Sequence, residues 1–599
     1  MTVSMAEDPA NDVGESIPAM TAHAVSVSLP TWKANVGYEE GEEWVMSKMK
    51  TGYPRFFIHK SIQKLAAAIV QKYGRPGEAA FLFPSNAVAS RCLAFFNRQA
   101  PQLDPQKVRI VDLGPAAPAA GSRATEEVSP SISAVIFPQE HFSVAKAYWQ
   151  HSGDGISSRR ADYCFNLFSK GLLVDLRKQE EPRFCKGPKR YQKKTSVDIT
   201  GHSNGVDSVT KGTGDEVQDP TRFVEERFGR NLDLSLAANA KLAIRRRIAG
   251  SLTADVGLTE ALSLERDEET TRKVAGFSED DVYLYPTGMS SIFNSHRTLL
   301  AARGELKSII FGFPYVDTLK IVQKFGPGCL FYGFGSAEDL DDLEKRLAGG
   351  EKYLALFTEF PGNPLLKSPD LQRIRTLADT YDFAVVIDET VGNFLNVNVL
   401  PYSDVVVSSL TKVFSGDSNV MGGSAILNPK GRHFQVLKDT WESEYEDNHW
   451  AEDSVFLERN SRDFVPRIAR INANAEAICD VLRAHPRVKQ VNYPKYSPTR
   501  PFYDQCRNPN GGYGGLLSAT FYSTADAVAF FDHIDTAKGP SLGTNFTLSS
   551  PYVILAHYSE LDWAASFGVE TDLVRFSVGL EDTKELVDTF ERALEAIPQ

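Results

Sequence analysis

Lys412 is the side chain of this sequence that is best placed to act as a nucleophile. It lies shortly after the apolar run 405–407 and just before a glycine-rich stretch of low charge at 416–427. Partial loss of solvent disfavours a charged ammonium and makes the amine more reactive toward an aldehyde. Ser409 and Thr411 flank the lysine with hydroxyls that could bind a phosphate. Taken alone, this S-x-T-K pattern is as typical of a structural loop as of an active site.

A carboxylate follows another apolar run. Asp388 ends the sequence AVVID, so a predicted strand delivers an acid to the same edge of the sheet. A buried acid needs a cationic partner, and the protonated nitrogen of a pyridine ring would supply one while becoming a better electron sink. The competing interpretation is an aspartate that caps the next turn.

Three further elements could bind parts of a planar, phosphorylated ring. Residues 287–291 (TGMSS) precede a helical pattern, and the N-terminus of such a helix can bind an anion. Tyr315 could stack on the ring, and Asn363 could donate a hydrogen bond to a phenolate oxygen. Each also has an ordinary interpretation, namely a helix cap, a half-buried surface tyrosine and a turn asparagine.

The elements that must position these residues follow one pattern. From residue 222 onward, strand-like apolar runs alternate with helical patterns, which predicts an α/β fold with a largely parallel sheet. The runs are 308–311, 353–357, 383–387 and 405–407. Two of them lack polar alternation and therefore predict strands that are buried on both faces. Ligands of such folds collect beyond the carboxyl ends of the strands, which is where the residues above lie.

The composition excludes several classes of protein. The 599 residues are 42% hydrophobic and 24% charged, which indicates a globular protein of two or three domains. A net charge of −12 gives no reason to expect a nucleic-acid or membrane partner, and no apolar run reaches the length of a transmembrane helix. Six scattered cysteines predict reduced thiols and no metal site. Together with a first stretch of twenty residues that lacks Lys and Arg, they predict a cytoplasmic protein.

We expect five segments along the chain. They are a disordered leader (1–25), an N-terminal α/β extension of unassigned role (26–195), a flexible linker (186–220), a large ligand-binding domain (221–430) and a C-terminal domain (431–599). A helix is predicted around Ile62–Lys72 from its apolar spacing. The linker begins with a basic run, KGPKRYQKK, which we interpret as a solvated loop.

Taken in chain order, the motifs resemble the Cys/Met-metabolism family of pyridoxal-5′-phosphate (PLP) enzymes, which includes cystathionine synthases, cystathionine lyases and homoserine sulfhydrylases. The resemblance covers roughly residues 220–599, with further matches at 228–230 (FGR), 541–543 (SLG) and 575–582 (RFSVGLED). It implies a PLP-dependent transferase of fold type I, like aspartate aminotransferase. Such a fold has a mostly parallel sheet flanked by helices and a smaller α+β domain at the C-terminus, here with an extra N-terminal α/β region.

The resemblance also implies a role for each residue. Lys412 carries the cofactor as a Schiff base and moves protons, Asp388 pairs with the pyridine nitrogen, and Tyr315 stacks on the ring. Arg575, helped by Ser541, binds the α-carboxylate of a small amino-acid substrate as a bidentate pair. The remaining implied contacts are Asn363 to the ring hydroxyl and, to the phosphate, Gly288, Met289, Ser409, Thr411 and Arg230 from a neighbouring subunit.

The sequence departs from the family pattern at three places. The usual Tyr-x-Arg is replaced by Phe228-Gly229-Arg230, so a hydroxyl contact to the phosphate is missing. Residues 416–419 read GDSN where many relatives have G-H-x-D, and Phe546 stands where relatives often have a glutamate near the substrate side chain. The second substrate is therefore in doubt. The N-terminal extension resembles the fungal branch of the family.

The implied reaction is a γ-replacement in trans-sulfuration. The thiol of cysteine would displace acetate or succinate from O-acetyl- or O-succinyl-homoserine to give cystathionine. The alternatives are a cystathionine γ-lyase, a synthase of specialised metabolism with another nucleophile, and a catalytically inactive regulatory homologue. The resemblance also predicts a homodimer or homotetramer with active sites shared between subunits.

Overall fold

The computed structural model describes residues 12–115, 130–178, 234–264 and 270–598. The predicted linker 186–220 and the motif Phe228-Gly229-Arg230 lie outside these residues, as do residues 1–11 of the predicted leader. Within the described ranges, no helix is both long and apolar enough to cross a lipid bilayer.

The N-terminal region contains a short ribbon and a four-stranded sheet. The ribbon pairs β1 (Ser16–Ile17) with β2 (Ser26–Val27). The sheet is antiparallel, in the order β3-β5-β4-β6, and its strands are β3 (Glu78–Phe83), β4 (Arg109–Pro115), β5 (Ile132–Pro138) and β6 (Leu173–Asp175). The helices of this region are Trp32–Glu40, Glu43–Met46, Lys60–Tyr73, Asn86–Gln99, Phe142–Ser152 and Ser158–Ser169.

One face of this sheet is covered by two helices of the same region. The helix predicted around residues 62–72 is confirmed as Lys60–Tyr73, and it buries Leu65 and Ile69. These side chains pack against Ile132 and Ala134 of β5, because alternate residues of a strand point to one face.

The other face of the sheet joins a core that is shared with the rest of the chain. Phe137 of β5 contacts Phe96 on the helix Asn86–Gln99, with ring centres 5.3 Å apart. The Phe95 ring lies 5.2 Å from Phe325, and Tyr148 lies 6.2 Å from Phe293, both partners belonging to the following part of the chain. We call this cluster the shared core. It makes the N-terminal sheet part of one packed unit with the central sheet.

The central part of the chain forms a seven-stranded sheet in the order β7-β13-β12-β11-β10-β8-β9. The strands are β7 (Val282–Tyr285), β8 (Ser308–Phe311), β9 (Cys329–Tyr332), β10 (Ala355–Glu359), β11 (Ala384–Asp388), β12 (Val405–Ser409) and β13 (Gly423–Leu427). The strands β8 to β12 are parallel, whereas β13 is antiparallel to both of its neighbours. The prediction of a mostly parallel sheet is confirmed, and two predicted strands begin one or two residues later than expected, at Ala355 and Ala384.

Both faces of the central sheet are buried. Val385 and Ile387 of β11 belong to one hydrophobic core, whereas Ala384 and Val386 belong to the shared core on the opposite face. This burial explains why the run AVVI has no polar alternation. The helices of this part are Leu234–Ala249, Leu258–Ser263, Gly288–Arg303, Val316–Lys324, Ala337–Ala348 and Leu371–Tyr381.

The C-terminal part forms a smaller, mostly antiparallel sheet, as expected for an α+β unit. Its order is β14-β15-β18-β17-β16, with strands β14 (Val488–Asn492), β15 (Leu516–Phe521), β16 (Ala537–Lys538), β17 (Leu548–Ser550) and β18 (Leu573–Ser577). Only the β16–β17 pair of this sheet is parallel. The helices are Phe434–Glu444, Ala451–Asn460, Phe464–Ala484, Arg500–Cys506, Thr524–His533, Tyr552–His557, Leu561–Ser566 and Thr583–Glu595.

The first described segment of the chain forms hydrogen bonds with the central and C-terminal parts. Leu29 donates its backbone N–H to Lys538 O at 2.9 Å, and Ser26 Oγ donates to Pro540 O at 2.6 Å. Val25 donates its backbone N–H to Ser418 O at 2.9 Å. These bonds bring the N-terminal segment beside the loops that follow β12 and β16.

Candidate functional site

A cavity of about 210 Å³ opens at the carboxyl ends of β10, β11 and β12, and it is lined by residues from all three parts of the chain. The predicted site residues that the structure describes all line it, namely Gly288, Met289, Tyr315, Asn363, Asp388, Ser409, Thr411, Lys412, Ser541 and Arg575. Arg230 lies outside the described residues. Parallel strands end at the same edge of a sheet, which is why residues far apart in sequence meet here.

Lys412 lies three residues after β12, and its side chain is buried, with a relative exposure of 8%. Its Nζ donates to Ser541 Oγ at 2.8 Å and to Tyr53 Oη at 3.1 Å. Both acceptors are hydroxyl oxygens, and no carboxylate of the described residues forms an ion pair with this amine. The lysine is thus held in place without being neutralised by an acid.

Ser541 links the lysine to the arginine of the site. Its hydroxyl accepts from Lys412, and its carbonyl oxygen accepts from Arg575 Nη2 at 2.6 Å. Its backbone has a φ of +103°, which is unfavourable for a residue with a side chain. Such strain is typical of functional sites and persists only where the surrounding structure enforces it.

Two carboxylates stand side by side at the edge of the sheet. Asp388 ends β11 and Glu359 ends β10, and the two are direct partners in the register of the strands. Burial raises the pKa of Asp388 to about 6, and burial with repulsion from Asp388 raises the pKa of Glu359 to about 8. Asp388 accepts a backbone N–H from Thr390 at 2.9 Å, but it has no ion pair with a Lys or Arg among the described residues.

Glu359 organises two of the predicted cofactor contacts. It accepts the backbone N–H of Tyr315 and, at 3.1 Å, the backbone N–H of Asn363. It therefore fixes the loops after β8 and β10 with respect to Asp388. Glu359 was not predicted as a site residue, although an acid at the end of a buried strand, within the motif TEFPGNP, was a usable signal.

Gly288 and Ser409 form a cradle for an anion. Thr287 caps the helix Gly288–Arg303 and accepts from Ser290 N at 3.0 Å, so the helix N-terminus points its backbone N–H groups at the cavity. A Cβ atom on Gly288 would lie 2.6 Å from Ser409 Cβ, so only glycine allows this approach. The Thr411 hydroxyl accepts from Gly422 N at 3.1 Å.

Arg575 on β18 is buried and lies at the other end of the cavity. Its Nη1 donates to Asn363 Oδ1 at 3.1 Å, and its guanidinium lies 4.6 Å from the centre of the Tyr552 ring. Burial lowers the pKa of Arg575, and no Asp or Glu of the described residues pairs with it. A buried guanidinium without an acidic partner is suited to bind a carboxylate from outside the protein.

The segment Tyr53-Pro54-Arg55, which was not predicted to belong to the site, lines the cavity from the N-terminal region. Tyr53 contacts Lys412, and Arg55 forms a buried ion pair with Asp317. The Arg55 guanidinium also lies 5.0 Å from the centre of the Tyr315 ring. The Tyr-x-Arg spacing that is absent at 228–230 is thus present at 53–55, and this spacing was the signal that could have found it.

A second loop of the N-terminal region packs against the anion cradle. The carboxylate of Asp154 is buried and accepts hydrogen bonds from Ser290 Oγ and, at 3.1 Å, from Asn294 Nδ2. Arg91 lies 3.8 Å from the same carboxylate. Thr287 Oγ1 donates to Gly153 O at 3.0 Å. The N-terminal region therefore holds the first two turns of the helix Gly288–Arg303.

The residues of the cavity fit PLP. The Gly288–Ser409 cradle at a helix N-terminus suits its phosphate. The buried Asp388, which has no Lys or Arg partner in the described part of the chain, suits a protonated pyridine nitrogen. Lys412 provides a buried amine for its aldehyde. These groups lie on different helices, strands and loops of the chain, and all of them line the same cavity.

Two family models match the sequence. Residues 269–595 match the model of the Cys/Met metabolism PLP-dependent enzymes. Residues 61–157 match the model of the N-terminal domain of fungal trans-sulfuration enzymes.

Individual proteins match over nearly the whole chain. A cystathionine gamma-synthase of Neurospora crassa is 55% identical and covers 98% of each chain. A cystathionine gamma-synthase-like enzyme of Amanita muscaria is 42% identical over 98% of this chain and 96% of its own. Among solved structures, a cystathionine gamma-lyase from Lactobacillus plantarum in complex with L-serine is 21% identical, with a TM-score of 0.48, over 59% of this chain and 99% of its own.

Proposed function

The chain belongs to the Cys/Met metabolism PLP-dependent enzymes, and from this premise we propose that it is a cystathionine gamma-synthase. The observation that carries this proposal is the 55% identity, across 98% of both chains, to the Neurospora crassa protein of that name. In the proposed reaction, the sulfur of L-cysteine displaces acetate or succinate from Cγ of O-acetyl- or O-succinyl-L-homoserine, and L-cystathionine and the carboxylic acid are released.

We assign different residues of the cavity to different parts of the substrate and the cofactor. We assign Arg575 to the α-carboxylate, because it is a buried guanidinium with no acidic partner among the described residues. Asp388 would hold the proton on the pyridine nitrogen, and Gly288, Met289, Ser409 and Thr411 would hold the phosphate. PLP, when bound, supplies the electron sink that the chemistry requires.

Lys412 is the residue that we assign to proton transfer. Its buried Nζ would link to the cofactor at rest and then, as a neutral amine, take the proton from Cα of the substrate. Loss of a second proton from Cβ allows the Cγ–O bond to break, and the Cγ–S bond to cysteine then forms. The protein thereby fixes the orientation of the substrate and moves the protons.

A product assay tests this function. Purified protein loaded with PLP is given O-acetyl-L-homoserine or O-succinyl-L-homoserine together with L-cysteine, and mass spectrometry measures cystathionine and 2-oxobutyrate. We expect cystathionine as the main product from one of the two esters. Release of 2-oxobutyrate from added cystathionine would instead indicate a γ-lyase. Absence of both products from a protein with covalently bound PLP would indicate another nucleophile or an inactive homologue.

We also propose that the enzyme is a homodimer or homotetramer with shared sites. This rests on Arg230, which the resemblance assigns to the phosphate of a neighbouring subunit. The test mixes Arg230→Ala subunits with Lys412→Ala subunits that carry different tags. Activity that reappears in tagged heterodimers supports shared sites, because one site then contains both residues. Confirmed heterodimers without activity would place Arg230 within its own chain.

We propose a cytoplasmic location for the reaction. The described cysteines are all free, namely Cys92, Cys164, Cys329, Cys479 and Cys506, and free thiols are typical of reducing compartments. Microscopy of a fluorescent fusion that retains enzyme activity would test this location.

A further inference from the structure

The N-terminal region places one phenol against the amine of Lys412. Lys412 Nζ donates to Tyr53 Oη at 3.1 Å and lies 4.8 Å from the centre of the Tyr53 ring. Among the described residues, the other hydrogen-bond partner of this amine is Ser541 Oγ, at 2.8 Å. The pKa of an aliphatic hydroxyl lies far above neutral pH, whereas a phenol has a pKa of about 10 and can ionise beside a positive charge. Of the two partners, Tyr53 is therefore the one that can accept a proton from Lys412.

We propose that Tyr53 is a catalytic residue whose phenolate oxygen takes a proton from the Lys412 ammonium and returns it later in the cycle. An N–H bond of Nζ breaks and an O–H bond forms on Oη, so the pair keeps the same total charge while the lysine becomes a neutral amine. That amine is the base needed at Cα of the substrate, and the inference therefore rests on the proposed function. It gives the N-terminal region a direct part in the chemistry.

The surroundings of Tyr53 suit it to this role. Burial acts to raise the pKa of Tyr53, but the charge of Lys412 and hydrogen bonds from Lys412 and Tyr315 outweigh it, so the pKa lies below its ordinary value of 10. Burial and the neighbouring Tyr53 hold the pKa of Tyr315 well above that value. Of these two phenols in contact, Tyr53 therefore releases its proton more easily, and Tyr315 keeps its proton. The ionisable groups that face Tyr53 are Lys412, Arg55, Arg575, Tyr315 and Tyr552.

Arg55 holds the segment that carries Tyr53. Its guanidinium is paired with Asp317 in the first turn of the helix Val316–Lys324 and lies over the Tyr315 ring. Asp317 is also 3.2 Å from His151 Nδ1, so two parts of the N-terminal region converge on one buried carboxylate. Thr51 Oγ1 donates to Ala24 O at 3.2 Å on the other side of Tyr53. A catalytic group needs such support, because a small displacement would lengthen its contact with Lys412.

Tyr53→Phe removes only the hydroxyl and tests the proposal directly. Tyr493→Phe is the matched control, because its hydroxyl is also buried but donates to Gly514 O at 2.8 Å and does not contact Lys412. We expect kcat of Tyr53→Phe to fall roughly 100-fold or more, as for the loss of a general acid–base group, with a much smaller change in KM. Borohydride reduction and peptide mass spectrometry should still find the cofactor on Lys412. A kcat within about threefold of the wild type overturns the proposal.

A fluorinated tyrosine at position 53 gives a second measurement that a merely structural role would not affect. It keeps the hydroxyl but lowers the phenol pKa, so the pH titration of the visible absorption of the bound cofactor should move to lower pH. This titration needs no turnover and therefore separates the inference from the proposed function. A shifted titration in a protein that makes no cystathionine refutes the function and supports the contact. An unchanged titration overturns the inference, even where Tyr53→Phe does not fold.

Discussion

Two walls of the cavity are built in different ways. The sheet wall consists of Asp388, Ser409 and Lys412, which lie at or just beyond the ends of buried strands. The loop wall consists of residues 51–57 and 149–158 of the N-terminal region. The buried strands position the sheet wall, whose residues follow them directly. Contacts of two buried carboxylates, Asp317 and Asp154, hold the loop wall. The backbone of the sheet wall is thus fixed by the strands themselves, while the backbone of the loop wall depends on contacts with distant residues.

Lys412→Ala should have the largest effect, because it removes the amine at the centre of the sheet wall. We expect complete loss of turnover and of the cofactor adduct that borohydride reduces. Lys430→Ala, at an exposed position after β13, is the control and should retain both. A Lys412→Ala protein that still forms a reducible adduct elsewhere and turns over normally would remove this lysine from the site.

Asp388→Asn should lower kcat on the order of 100- to 1000-fold, since an amide cannot stabilise a protonated ring nitrogen by charge. Stopped-flow measurement of the chemical step, with KM determined in parallel, should show the loss mainly in kcat. Near-native turnover would contradict the assignment of Asp388 to the ring.

The same substitution should stabilise the protein from which PLP has been removed. The folded pKa values of Asp388 and Glu359, about 6 and about 8, exceed their ordinary values of 3.8 and 4.5. The folded state therefore binds more protons than the unfolded chain, and stability falls as the pH rises through this interval. Apo Asp388→Asn should melt at a higher temperature than the apo wild type at pH 8 and at a similar temperature at pH 4. A lower melting temperature at pH 8 would argue against an uncompensated charge.

Arg575→Lys should cost about 2–3 kcal/mol in substrate recognition, because a point charge replaces a bidentate fork. The change should appear in kcat/KM, while the visible absorption of the cofactor persists. Arg592→Lys, on the exposed face of the helix Thr583–Glu595, is the matched control. If the absorption disappears while amino-acid binding survives, Arg575 belongs to the cofactor contacts instead.

Arg55→Lys should have the smallest effect, because a lysine can still pair with Asp317 but loses the planar contact with Tyr315. The lost cation–π contact is worth about 1 kcal/mol, which corresponds to roughly a fivefold decrease in kcat. Limited proteolysis near residues 50–58 should become faster than in the control Arg75→Lys, whose arginine is exposed. An effect as large as that of Lys412→Ala would mean that the ion pair with Asp317 is not sufficient to hold the loop wall and that the contact with Tyr315 is essential.

Much of the sheet wall was predictable from local sequence. The run 405–407 and the sequence AVVID identified two buried strands, and the polar residues that follow them meet because parallel strands end at one edge. Asn363 was expected at the ring hydroxyl, and the structure places its side chain against Arg575 and Tyr552. Periodicity locates a side chain at the end of a strand, but it does not determine which neighbour that side chain contacts.

The loop wall was not predictable by the same reasoning. Tyr53 and Lys412 are separated by 359 positions in the chain, and no periodic pattern connects them. Asp317 and Asp154 look like ordinary polar residues in sequence, and only the packed structure reveals that they are buried beside arginines. Long-range pairs of this kind depend on how separately folded segments dock, which is information that local propensity does not contain.

The shared core also has a consequence during synthesis. Phe95 and Tyr148 leave the ribosome well before Phe325 and Phe293, the later residues whose rings pack against them. At roughly 5–20 residues per second, the stretch of about 180 residues between Tyr148 and Phe325 takes on the order of 10–35 seconds to translate. We expect the aromatic face of the nascent N-terminal sheet to stay partly uncovered during that interval and to offer a binding surface to chaperones that recognise apolar segments.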